Sequence, residues 1–189
     1  MKFTLCLALL CAGIPSMVIG QTPDGVPTEW DLRKTLESLD VQTRQLQPIL
    51  EQVKPQEWVE RGAPQAYVAQ WKTAQDQVQY LLGSSQNFAK QPDRLTLALD
   101  TYFRLEAMNT TLASLNEGIR RYQNPAVADL LQSVADKNSA NRQHLRQYIV
   151  ELAGTREQEF KVMEQEAQRC RTSLSRQPAP AHPKKQERP

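Results

Sequence analysis

Apolar residues recur every seven positions near the start of the chain, with further residues between them at spacings of three and four. The set is Leu32, Leu36, Leu39, Thr43, Leu46, Leu50 and Val53. This alternation puts the side chains on one narrow face of an α-helix, as in the seam of a coiled coil. It predicts a helix over about 28–53 that begins at a capping box formed by Thr28 and Asp31.

Three more segments carry apolar stripes of the same kind, and short links containing proline separate them. The stripes predict helices at about 64–90, 93–122 and 125–174. Short links force consecutive helices to run in opposite directions. We therefore predict an all-α fold over 28–175, an antiparallel up-down four-helix bundle with coiled-coil-like seams. Gly83-Ser84-Ser85 weakens the second helix and is a candidate for a break in its last turns.

The fourth predicted helix is too long for its partners. At 1.5 Å per residue it approaches about 75 Å, whereas each of the other three is about 40 Å long. An over-long C-terminal helix leaves two alternatives. Either Gly154 interrupts the helix, or its distal half packs on a partner chain.

Both ends of the chain have compositions unlike that of the bundle. Lys2, the apolar run after it and the small residue Gly20 predict a signal peptide over 1–20, cleaved near Gly20-Gln21. We expect residues 21–27 to be a flexible leader and the Pro-rich, basic residues 176–189 to be a disordered tail. Export to the periplasm or the cell exterior follows, with no stable membrane insertion after signal cleavage.

Charge argues against a nucleic-acid partner. The chain has a net charge of only +2, and residues 176–189 alone contribute four basic residues and one acidic residue. The predicted helices therefore carry no excess of basic residues. A nucleic-acid-binding protein usually shows a strongly basic patch, and the helical region has none.

Motifs for catalysis and for cofactor binding are missing from the sequence. His144 and His182 are the two histidines, and no paired Glu-x-x-His, Cys-x-x-Cys-His or phosphate-binding loop is present. We predict no catalytic residue, no cofactor and no metal site, and hence that the protein is not an enzyme. A metal-dependent enzyme is a remote alternative.

Two groups of residues are candidates for binding. Trp58, Tyr67 and Trp71 bracket the predicted turn at Gly62-Ala63-Pro64, where aromatic side chains either form a binding corner or close the end of a bundle. A possible polar core layer interrupts the apolar stripes and consists of Thr43, Asn109, Asn138 and Asn141. Buried polar layers usually fix register or partner number, and the alternative is a small polar ligand cavity.

Cys170 is the one thiol that remains once Cys6 and Cys11 leave with the signal peptide. A single cysteine forms no internal disulfide, so the alternatives are an intermolecular disulfide and an unreactive, partly buried thiol. The leading functional hypothesis is an exported, non-catalytic helical bundle that acts through protein–protein contacts, with an unknown protein partner or by self-association. The alternative is a periplasmic chaperone-like or small-ligand-binding bundle.

Overall fold

Five α-helices make up the regular structure of residues 29–175, the part of the chain that a computed structural model describes. They are α1 (Glu29–Glu51), α2 (Pro55–Glu60), α3 (Ala66–Lys90), α4 (Leu95–Tyr122) and α5 (Pro125–Ser175). This region is about 90% helical and contains no strand, so the all-α prediction is confirmed. The predicted signal peptide, leader and tail lie outside the described residues.

The helices bury their apolar stripes against one another and form a bundle, as predicted. α1 packs against α3 and α5, and α4 packs against the same two helices. The side chains with no solvent exposure include Leu39, Leu46, Leu81, Leu105, Leu115 and Leu145. Removal of this apolar surface from water stabilises the fold by about 25 cal/mol per Å².

Helix α2 was not predicted from the sequence. It is only six residues long, and Pro55 occupies its first turn, where a missing N–H costs nothing. Gly62 ends this segment with a φ of +93°, a left-handed conformation that glycine adopts readily. The Gly62 N–H donates to the Val59 carbonyl at 2.9 Å, and the chain then turns into α3.

Helix α3 continues through Gly83-Ser84-Ser85 without the break that the sequence suggested. Both serines are buried. The Ser84 hydroxyl donates to the Asp100 carboxylate at 2.6 Å and lies 2.9 Å from the Thr101 hydroxyl. Because these partners satisfy the hydroxyl, it does not compete with the backbone hydrogen bonds of α3.

Helix α5 is a single helix of 51 residues, about 77 Å long at 1.5 Å per residue. It passes through Gly154 without interruption. Two bonds tie it to the link between α3 and α4: the Tyr148 hydroxyl donates to the Pro92 carbonyl at 3.0 Å, and Arg156 donates to the Asp93 carbonyl at 2.8 Å. Beyond Arg156 every residue as far as Ser175 is exposed.

None of the helices between residues 29 and 175 has a stretch of apolar sequence long enough for a membrane span.

Candidate interaction surface

The part of α5 that extends past the bundle, residues 157–175, is here called the distal segment. It is about 28 Å long at 1.5 Å per residue, and every one of its side chains is exposed. Its base is anchored by Arg156, which bonds to Asp93 of the α3–α4 link and to Glu159 one turn further on. The hydrogen bond to Glu159 is the main cause that raises the pKa of Arg156.

The distal segment has an apolar stripe of its own. The stripe consists of Phe160, Met163, Ala167, Cys170 and Leu174, at spacings of three, four, three and four. Phe160 is 65% exposed, Met163 63% and Leu174 67%. A helix in water normally places such a row against a partner, because each large apolar side chain left exposed forgoes about 1.5–3 kcal/mol of burial free energy.

Cys170 lies in this stripe as a free, exposed thiol. It is accessible to a second chain, and the intermolecular disulfide stays a prediction. The alternative of a partly buried thiol requires that another molecule covers the distal segment, because α5 has no neighbouring helix there in the described chain.

The predicted binding corner is a packed aromatic cluster. Trp58 is fully buried, and its ring centroid lies 5.7 Å from that of Tyr67 and 6.3 Å from that of Tyr122. Trp71 is half-buried, and its indole N–H donates to the Leu50 carbonyl at 2.8 Å. Trp58 therefore presents no exposed ring face, and the geometry is that of rings closing the end of a bundle. A binding role for this corner stays a prediction.

Gly118 makes the aromatic cluster fit against α4. A Cβ at this position would lie 2.6 Å from Cε1 of Tyr67 and 3.1 Å from Cζ3 of Trp58. Sequence analysis missed both Gly118 and Tyr122. Their signal was present, since Gly118 is a glycine inside a predicted helix and Tyr122 lies at the end of its apolar stripe.

The predicted polar layer is only partly assembled. Asn141 donates through its amide nitrogen to Oδ1 of Asn138 at 3.1 Å and to Oε1 of Gln42 at 3.0 Å. Thr43 and Asn138 are fully buried. Asn109 instead lines a shallow groove of about 150 Å³ between α4 and α5. Gln42, which the sequence analysis missed, is the residue of α1 that joins this network.

Three groups of the predicted polar layer have no hydrogen-bond partner: the Thr43 hydroxyl, the Asn138 amide nitrogen and the Asn109 amide oxygen. Six other threonines in the described helices donate to the carbonyl four residues earlier: Thr35, Thr101, Thr110, Thr111, Thr155 and Thr172. Thr43 does not, although it is as buried as Thr101. An unpaired buried hydroxyl costs about 1–3 kcal/mol.

A second polar cluster joins α3 and α4. Asp100 accepts hydrogen bonds from Ser84 at 2.6 Å and from Nε of Arg104 at 2.8 Å. The bond from Arg104 is the main cause that lowers the pKa of the Asp100 carboxyl; partial burial opposes it, and the bond from Ser84 adds to it. The acid-before-base spacing of Asp100 and Arg104 predicts this pair, whereas the contact with Ser84 depends on helix packing.

A groove with a volume of about 530 Å³ lies between the first half of α1 and α5. Leu32, Thr35, Asn141, His144 and Tyr148 are among its lining residues. His144 is exposed at the rim. Within residues 29–175 no group of three or more His, Cys, Asp or Glu side chains is placed to hold a metal ion.

Comparisons with protein-family models, with curated proteins and with solved structures give no match for this chain.

The aromatic cluster predicts opposite effects for two Gly→Ala substitutions within helices. Gly118→Ala is expected to lower the free energy of unfolding by about 1–3 kcal/mol, because the new methyl overlaps Tyr67. Gly83→Ala, on an exposed site with open space around it, is expected to raise it by about 0.5–1 kcal/mol through helix propensity. Urea unfolding followed by circular dichroism measures both. Equal stability of the two variants would contradict the close packing at Gly118.

The polar layer predicts a second pair of opposite effects. Thr43→Val removes an unpaired hydroxyl and is expected to raise the free energy of unfolding by about 1 kcal/mol. Thr101→Val removes a hydroxyl bonded to Leu97 and close to Ser84, and is expected to lower it by about 1 kcal/mol. Both are nearly isosteric changes at fully buried helical sites, and the same urea titration compares them. If Thr43→Val destabilises as much as Thr101→Val, the Thr43 hydroxyl has a partner after all.

Proposed function

We propose that this chain is an exported, non-catalytic helical-bundle protein that acts through protein–protein contacts made by the distal segment. The observation that carries the proposal is the exposed apolar stripe on the part of α5 that extends past the other helices of the bundle. Contiguous apolar rows on a protein surface are typical of interaction sites. An amphipathic helix presents its anchor residues at this spacing to a partner groove or a partner helix.

The finer arrangement of the helices is part of the proposal. We propose an antiparallel up-down four-helix bundle formed by α1, α3, α4 and α5, with coiled-coil-like seams. The links at 91–94 and 123–124 are short, which favours opposite directions for the helices they join. Hydrogen bonds at the two opposite ends of the bundle support the same arrangement. Gln123 bonds to the backbone of Gln52 and Lys54, whereas Arg156 bonds to Asp93.

The proposed location is the periplasm or the cell exterior, and the support for it is the signal-peptide pattern of residues 1–20. The proposed partner is a protein rather than a nucleic acid, because the distal segment mixes acidic and basic residues. Function outside the cell also agrees with the free, exposed thiol of Cys170, the one cysteine within residues 29–175, since a second chain is then an available disulfide partner.

A second candidate function rests on the groove between α1 and α5. Its volume of about 530 Å³ falls in the range of small-molecule sites, and it combines apolar Leu32 and Tyr148 with polar Thr35 and Asn141. This groove favours a chaperone-like or small-ligand-binding role. A ligand that copurifies with the protein and is released by substitution of Thr35 or Asn141 would favour this candidate over the first.

Photo-crosslinking in the source cell tests the leading proposal. A benzophenone amino acid replaces Phe160 in the stripe, and in a control variant it replaces Tyr80 on α3, an aromatic residue of similar exposure (65% and 58%). We expect a discrete protein adduct from position 160 in the exported fraction, with little or none from position 80. Equal labelling from both positions, or no adduct from position 160, would contradict the proposal.

A further inference from the structure

We propose that the partner of the apolar stripe is a second copy of this chain, whose distal segment pairs with the first in the antiparallel direction. The inference rests on the proposed function and names its partner. Three features carry it: the side of α5 on which the stripe lies, the space that the bundle already occupies, and the order of charges along the distal segment.

The stripe lies on the same side of α5 as the bundle core. Leu152 is the last buried residue of α5, and Cys170 follows it by 18 positions, which is five full turns at 3.6 residues per turn. Met163 follows Leu152 by 11 positions, about three turns. Since α5 is unbroken between these residues, its apolar surface continues past the end of the bundle in nearly the same direction.

This direction excludes a parallel pair. A second helix laid along the stripe in the parallel direction would continue down the core side of α5, where α1 and α4 already pack. In the antiparallel direction the second helix extends beyond Ser175, away from the first bundle. The two bundles then lie at opposite ends of a shared pair of helices, and a two-fold axis crosses the pair.

The charges of the distal segment favour the same direction. Its first half carries four acidic residues and one basic residue, a net charge of −3, and its second half carries two basic residues and no acidic one: Glu157, Glu159, Lys161, Glu164 and Glu166, then Arg169 and Arg171. An antiparallel pair lays the acidic half of each copy beside the basic half of the other. Opposite charges that flank an apolar seam select partner and orientation in coiled coils.

One register satisfies the charges and pairs the stripe from Met163 to Leu174, while Phe160 lies at the edge of the pairing. When Met163 faces Leu174 of the second copy, Ala167 faces Cys170, and Glu164 flanks Arg171 on both sides of the two-fold axis. A shift by seven positions places Glu164 against Glu164 and Glu166 against Glu166 of the second copy. Like charges in contact disfavour that register. The favoured register needs no disulfide, because the two Cys170 side chains lie in different layers.

A pair of segments this short predicts a reversible dimer that dissociates on dilution. Sedimentation velocity of the full chain with reductant, over a hundredfold concentration range, is expected to show monomer converting to dimer. Met163→Glu is expected to remove the dimer. The control Val162→Glu places the same charge on a neighbouring residue off the stripe, since Val162 is 56% exposed and Met163 63%. This control is expected to leave the dimer intact. A monomer at every concentration overturns the proposal.

Charge reversal tests the direction and the register. Glu164→Arg and Arg171→Glu are each expected to weaken the dimer about tenfold, because each turns two attractive contacts into repulsive ones. The double variant E164R/R171E is expected to restore it. Glu157→Arg is the matched control and is expected to have little effect, since Glu157 has no charged residue of the described chain opposite it in this register. A dimer that E164R strengthens, or that the double variant fails to restore, overturns the proposed pairing.

The crosslinking experiment at position 160 separates this inference from the proposed function. An adduct of twice the monomer mass supports self-pairing. Adducts only with a different protein overturn self-pairing while the proposed function stands. Absence of any adduct contradicts both.

Discussion

Each long helix of this protein has one narrow apolar face, and the fold depends on where those faces can be buried. α1, α3, α4 and the first part of α5 cover one another, because their stripes are of similar length. The distal segment continues α5 after the other helices have ended, so its stripe has no neighbour within the described chain. Burial of apolar faces builds the bundle, and the apolar face of the distal segment is the part that no other helix of the described chain buries.

Polar groups inside the bundle add a second constraint, which concerns register more than stability. Asn141 bonds Asn138 within α5, and it also bonds Gln42 of α1, which requires that α1 and α5 are aligned as they are here. A slip of α1 along α5 would break the bond between Asn141 and Gln42, and a bond of this kind contributes about 0.5–1.5 kcal/mol. The unpaired Thr43 hydroxyl lies next to this network, so the alignment of α1 with α5 is obtained at some cost in stability.

How far the sequence predicts this structure depends on the length of each pattern. The stripes of the long helices extend over several heptads, so the all-α bundle and the excess length of α5 were accessible from spacing alone. α2 was not, because six residues are too few to show a helical period. Tyr122 at the aromatic corner and Gln42 in the polar layer were also missed, since their roles arise from contacts between helices that are distant in sequence. The sequence also could not decide whether Trp58 is exposed or buried, because a binding corner and the closed end of a bundle both use aromatic residues at a turn.

The uninterrupted course of α5 has a consequence for local stability. Up to Arg156, the backbone hydrogen bonds of the helix are protected by tertiary packing; past it, only helix propensity holds them, and a free helical end frays easily. The amide protons of one helix should therefore exchange with solvent at very different rates on either side of Arg156. A molecule that covers the stripe would slow exchange in the distal segment alone, and the amides of that segment would then report, residue by residue, whether the stripe is occupied.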